Sequence, residues 1–202
     1  MTSVARGTAF EDKVFAAVQR ELQSDRLGIS PALSRPFKKK GYYSRDRDAE
    51  IIVDVSVEVW LPDADRWSIL WVCECKDYAS SVPVDDIEEF KAKLDQIAGA
   101  NKKGVVAVSG ALQASALKFA RANGIGVVRL LPNAQVQNVL YQLPIGATKH
   151  VESLNPEEFQ RAFVEPDFVG LNRAFYAEQE NRVLGSWSAL LKSSIGTEPP
   201  AP

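Results

Sequence analysis

The sequence predicts an α/β fold in which a mixed sheet is flanked by helices. The elements run helix, three strands, helix, strand, helix, strand, followed by a mostly helical C-terminal extension. Three observations predict it. Two neighbouring segments, 51–60 and 67–75, alternate apolar and polar residues with the period of two that marks half-buried strands, and a Pro- and Asp-containing turn joins them. Val84, Ile87, Phe90, Leu94 and Ile97 then recur as one apolar helical stripe. Finally, the apolar runs at 104–109 and 125–131 enclose a helical segment, and strand, helix, strand of these lengths makes a right-handed crossover with parallel pairing. This order divides the chain into a core, 1–132, and an extension, 133–202, whose end is linker-like.

In chain order, Phe10, Val14, Ala17, Val18 and Leu22 define a first helix from Thr8 to Leu22. Thr8-Ala9-Phe10-Glu11 fits a capping box, with Thr8 as N-cap and Glu11 reaching back to it. Gly28, Pro31 and Pro36 break the segment that follows. Phe37 to Tyr43 makes a first strand carrying Lys38, Lys39, Lys40 and the Tyr42-Tyr43 pair. Lysines there suit either an edge strand guarded against aggregation or contact with phosphate.

In the hairpin, Val53, Val55, Val57 and Val59 point one way and Asp54, Ser56 and Glu58 the other. Ile69, Trp71, Cys73 and Cys75 share a face, so Glu74 and Lys76 share the opposite one. A turn centred on Ala64 sets Asp54 directly opposite Glu74. Facing positions hold their Cβ atoms roughly 4.5–5.5 Å apart, where like charges destabilise a sheet unless something compensates. A divalent cation between them would do so. Glu58, four residues along the strand, lies about 13 Å from Asp54 and cannot share that ion.

Pro83 opens the second helix, with Asp85, Asp86, Glu88 and Glu89 at the positive end of its dipole and Gln96 near its far end. Ser109-Gly110 leads to a helix from Ala111 to Asn123, capped by Gly124. Asn155-Pro156 starts another helix and Leu184 to Leu191 a last one.

Composition narrows the chemistry. The 202 residues carry a formal charge of −2, with 46% hydrophobic and 25% charged residues, as in an ordinary soluble protein. No apolar run reaches the ~20 residues of a membrane span, and the N-terminus lacks a signal-peptide pattern. Cys73 and Cys75, neighbours on one strand face, read as core thiols in a reducing compartment, so a cytoplasmic location is expected. With His150 as the sole histidine, histidine-based nuclease motifs, zinc proteases and His-containing triads lose support. Carboxylates, lysine and a hard metal remain. Arg35, Lys38, Lys39, Lys40, Arg45 and Arg47 fall just before the first acidic strand, where a local phosphate-binding stripe is compatible with the near-neutral total.

An Asp on one strand followed by Glu-x-Lys on the next, here Asp54 and Glu74-Cys75-Lys76, resembles the PD-(D/E)XK nuclease superfamily. The stretch from Gly41-Tyr42-Tyr43-Ser44 through Asp54 to Glu74-Cys75-Lys76-Asp77-Tyr78 resembles, more narrowly, the Mrr-like restriction endonucleases; Val53 stands where the superfamily often has proline.

The resemblance covers about residues 5–131 and implies a restriction-endonuclease-like core. The implied activity is that of a Mg²⁺- or Mn²⁺-dependent DNA endonuclease of the restriction or defence type. Asp54, Glu74 and the Cys75 backbone carbonyl would hold the metal. Lys76 would position the attacking water or stabilise developing charge, and Glu11 matches a helix glutamate that approaches the site. Lys38, Lys40, Arg45 and Arg47 are the candidate nucleic-acid contacts. DNA is the implied partner, not a membrane, and a homodimer is one allowed assembly. The alternative is a non-catalytic module binding nucleic acid or protein on the same scaffold. A doubly wound nucleotide-binding domain lacks its glycine-rich loop, since Ser109-Gly110-Ala111 is too poor in glycine.

Overall fold

The computed structural model describes residues 3–24, 27, 30–99, 101–138 and 154–195; His150, Gly28 and the linker-like tail at 196–202 lie outside them. The elements in order are α1 (Ser3–Gln23), β1 (Ser34–Ser44), β2 (Ala49–Val59), β3 (Ile69–Lys76), α2 (Val84–Gln96), β4 (Lys102–Val108), α3 (Ala114–Ala122), β5 (Gly126–Leu130), β6 (Val136–Gln137), α4 (Pro156–Val164), β7 (Gly170–Leu171), β8 (Phe175–Gln179), β9 (Arg182–Leu184) and α5 (Trp187–Ile195). The first eight elements of the restriction-endonuclease-like core thus follow the expected order. A seven-stranded sheet runs β1-β2-β3-β4-β5-β8-β9, and β6 and β7 pair separately. Strands β3, β4 and β5 are parallel, and the hairpins on either side of them are antiparallel.

Two apolar layers hold the sheet. On one face, Phe10, Val14 and Val18 of α1 and Leu190 of α5 pack on Val55, Val57, Trp71 and Cys73. On the other, Ile87 and Phe90 of α2, Leu117 of α3 and Phe159 of α4 pack on Leu70, Val72 and Val106. Each fully buried large side chain contributes about 1.5–3 kcal/mol relative to exposure, so these layers dominate the stability of the sheet. The stripe read from α2 is the one that is buried, and Gly124, with φ of 64°, ends α3 in the left-handed conformation. Asn155 caps α4 by accepting the Glu157 N–H. The β2–β3 register pairs Val55 with Cys73 and Ser56 with Val72, as a turn centred on Ala64 requires.

Four local expectations change. Helix α1 is already formed at Ser3, so Thr8 is interior and cannot be an N-cap; the capping box is not made. Val53 parts from its neighbours, packing on the α2 side while Val55, Val57 and Val59 pack on the α1 side. The cause lies opposite Asp54, where Lys39 has φ of 52°; among the described residues it is the only non-glycine residue inside a strand with positive φ. Lys38 still pairs with Val55 and Lys40 with Val53, so the hairpin turns over without gaining a residue. Third, α3 begins at Ala114, because the preceding residues bond to Val82 instead: its N–H donates to the Ala111 carbonyl and its carbonyl accepts the Gln113 N–H. Fourth, the extension is not only helical. It supplies α4 and α5 but also β8 and β9, which continue the main sheet beyond β5, and Leu184 lies in β9. Glu180 and Asn181 join these strands with φ of 51° and 62°, both positive as a tight hairpin turn requires.

Candidate active site

The site forms where β2 and β3 stop pairing through backbone. Their ladder runs from Val59 and Ile69 to Val55 and Cys73. At the next position the Asp54 side chain takes over, its Oδ2 accepting the Cys75 N–H at 2.8 Å. A carboxylate bonded to backbone N–H is held both by charge and by direction. Asp54, Glu74, Cys75 and Lys76 line one cleft of about 760 Å³ together with Glu11 and Arg6 of α1. The loop after β3 closes its rim. Ser109 donates to Asp77 at 2.6 Å, and a Cβ on Gly110 would meet the Tyr78 carbonyl at 2.9 Å, so only glycine lets the two loops come this close.

Two sets of ion pairs organise the cleft. On the α2 side, Glu74 is 5% exposed and its Oε1 lies 3.0 Å from Lys93 Nζ and 3.4 Å from Lys76 Nζ. Lys76 reaches Asp86 as well, at 3.2 Å. Burial pulls the Lys76 ammonium down, but the charges of Glu74 and Asp86 outweigh it and hold the group protonated above its ordinary range. Lys93 behaves likewise, burial opposed chiefly by Glu74. On the α1 side, Lys39 Nζ stands between Asp54 Oδ1, at 2.6 Å, and Glu11 Oε1, at 2.8 Å. Glu11 Oε2 is buried without a hydrogen-bond partner; Lys38 Nζ approaches it to 3.9 Å. The Cys75 thiol is pushed up by its contact with Cys73 and then by burial, which keeps it neutral.

Asp54, Glu74, Lys76, Glu11 and Cys75 thus meet in one cleft. The four candidate nucleic-acid contacts do not join them there. Lys38 donates to Asp12, Lys40 pairs with Glu58 and covers the Phe37 ring, and Arg47 donates to Gln96 at 2.7 Å. Arg45 lines a separate cavity with Arg66, Trp67 and Gly99. Lys93, Asp86 and Lys39 are the site residues that sequence reasoning missed. Asp86, Glu89 and Lys93 fall at i, i+3 and i+7 beside the buried stripe of α2, a helical line that faces β3 and was legible in principle.

Among the described residues, no three His, Cys, Asp or Glu side chains are gathered as a ready set of metal ligands. The donors nonetheless fit a hard ion in kind. Asp54 and Glu11 already bracket a single cation, the Lys39 ammonium, and Glu11 keeps one buried oxygen without a donor.

A family model described as restriction endonuclease, that of the Mrr catalytic domain, matches residues 32–140, more than half of the chain. The matched span includes Asp54, Glu74, Lys76 and Lys93 but not Glu11. A solved structure described as a protein of unknown function, AF1548, is 14% identical, covering 55% of this chain and 56% of that one, with a TM-score of 0.38. The chain thus spans little more than half the length of that structure. No curated protein sequence matches it.

Proposed function

Because the chain belongs to the Mrr-type restriction endonuclease family, we propose that it is a divalent-metal-dependent endonuclease that hydrolyses phosphodiester bonds in DNA at the cleft between β2 and β3. The observation that carries this reading is the convergence of Asp54, Glu74 and Lys76 on one cleft, with Asp54 fixed against β3 by the Cys75 N–H. Asp54, Glu74 and the Cys75 carbonyl, with Glu11 beside them, would hold Mg²⁺ or Mn²⁺; when bound, the ion supplies an acidified water and positive charge at the phosphate.

The remaining work falls to the chain itself. Lys76, kept protonated, places a fixed cation beside the charge that develops on the phosphorus oxygens. Lys93 and Asp86 are positioning residues: each meets one member of the Glu74–Lys76 pair and fixes its direction. Lys38, Lys40, Arg45 and Arg47, outside the cleft, serve the DNA flanking the cut. Catalysis belongs to the core, 1–132, and the extension, 133–202, supports the β5 edge.

The purified chain is expected to cut duplex DNA with Mg²⁺ or Mn²⁺, and Glu74→Ala or Lys76→Ala to lower the rate by about 100-fold or more with unchanged circular dichroism. Full cleavage by both variants rejects the assignment. A second reading rests on the pairing of Glu11, Asp54 and Glu74 with lysines, which favours a metal-free binding module. It predicts DNA binding without metal, lost when Arg45 and Arg47 are neutralised, and no cleavage.

A further inference from the structure

We propose that Lys39 is a resident counter-cation that occupies the Glu11–Asp54 side of the cleft and must swing out before a divalent ion can be held there. This rests on the metal-dependent reading above. Lys39 Nζ contacts one oxygen of each acid, at 2.8 and 2.6 Å, which is the place a shared ion requires. Three further observations separate it from an ordinary surface pair.

The first is its backbone. A lysine at φ of 52° sits in the left-handed region that side-chain-bearing residues avoid, and the other described non-glycine residues with positive φ lie at turns or strand ends. The flip sends the side chain across Asp54 rather than along the strand face. The second is the contrast in exposure. The side chains of Glu11 and Asp54 are 13% and 14% exposed, whereas that of Lys39 is 49% exposed, so the lysine can leave to solvent and the acids cannot follow. The third is what its departure leaves. Glu11 Oε2 is already buried without a hydrogen bond, and Asp54 Oδ1 would lose its ammonium, so the vacated position is favourable only for another cation.

The cleft is therefore asymmetric. Lys76 and Lys93, at 12% and 20% side-chain exposure, are fixed beside Glu74, while Lys39 is a removable partner beside Asp54. The consequence is self-competition: the chain weakens its own grip on the ion and stays folded and neutralised without it.

Calorimetric titration of Mn²⁺ into the full chain without DNA tests this. Lys39→Met is expected to bind Mn²⁺ about fivefold more tightly than the unaltered chain, the order set by releasing two partly exposed ion pairs. Lys39→Gly, which also suits the positive φ, should tighten binding to the same side, and Lys39→Arg should not. Without metal both charge-free variants should melt at lower temperature, and they should gain more from Mn²⁺. Equal or weaker binding by Lys39→Met and Lys39→Gly, with Asp54→Asn still abolishing the signal, overturns the inference and leaves the metal site standing. Binding that survives Asp54→Asn, or no binding by the unaltered chain, removes the metal reading and the role of Lys39 with it.

Discussion

Lys76 and Arg129 stand in one row of the sheet, each paired across the backbone with Val108, and both turn to the face covered by α2, α3 and α4. Their surroundings differ. Lys76 meets the carboxylates of Glu74 and Asp86 at the lip of an open cleft. Arg129 is 1% exposed and donates to the carbonyls of Ala162, Glu165 and Pro166 and to Gln135 Oε1, and among the described residues it makes no ion pair. Burial pulls its guanidinium down, yet it serves as a cation closing the C-terminal end of α4. A cation against acids in a cleft is available for chemistry. A cation against backbone oxygens is a seam, here the one that joins the extension to β5.

That contrast is open to four tests of falling size. Arg129→Leu, which strands several buried acceptors at once, is expected to cost about 3 kcal/mol in urea unfolding; a loss below about 1 kcal/mol would break the seam side of the comparison. Lys76→Ala should do the reverse, holding its unfolding midpoint within about 1 kcal/mol of the parent while losing about 100-fold in cleavage. Lys93→Met should lower cleavage by about tenfold, with Lys93→Arg restoring most of it. A variant without any loss would show that Glu74 needs no second lysine. Lys91→Ala removes only an exposed pair with Asp95 on the outer face of α2, so a change of a few tenths of a kcal/mol and normal cleavage are expected.

The β2–β3 register was legible because it depends on periodicity and on a turn. Once Ala64 is taken as the centre, Val55 falls opposite Cys73 and Val59 opposite Ile69, and the structure keeps that register up to the residues adjoining Asp54 and Glu74. The turnover at Lys39 was not legible, since Val53 and Val55 carry the same pattern whether they share a face or not, and nothing in a run of three lysines marks the middle one as left-handed. Arg129 was hidden for a different reason. It sits inside an apolar strand, and three of its four partners are main-chain oxygens, which leave no signature in side-chain identity. The β8–β9 hairpin escaped because its strands are short and its turn is Glu180-Asn181 rather than a glycine-bearing pair.

The hairpin added beyond β5 sets one border of the sheet. It leaves the sheet bounded by a three-residue strand at one border, β9, and by the lysine-bearing β1 at the other. Among the described residues, neither border offers a long, uncharged row of amides on which a second chain could template itself. Addition of a further strand at either border is therefore disfavoured, a guard against fibre-like growth that comes from the strand order itself.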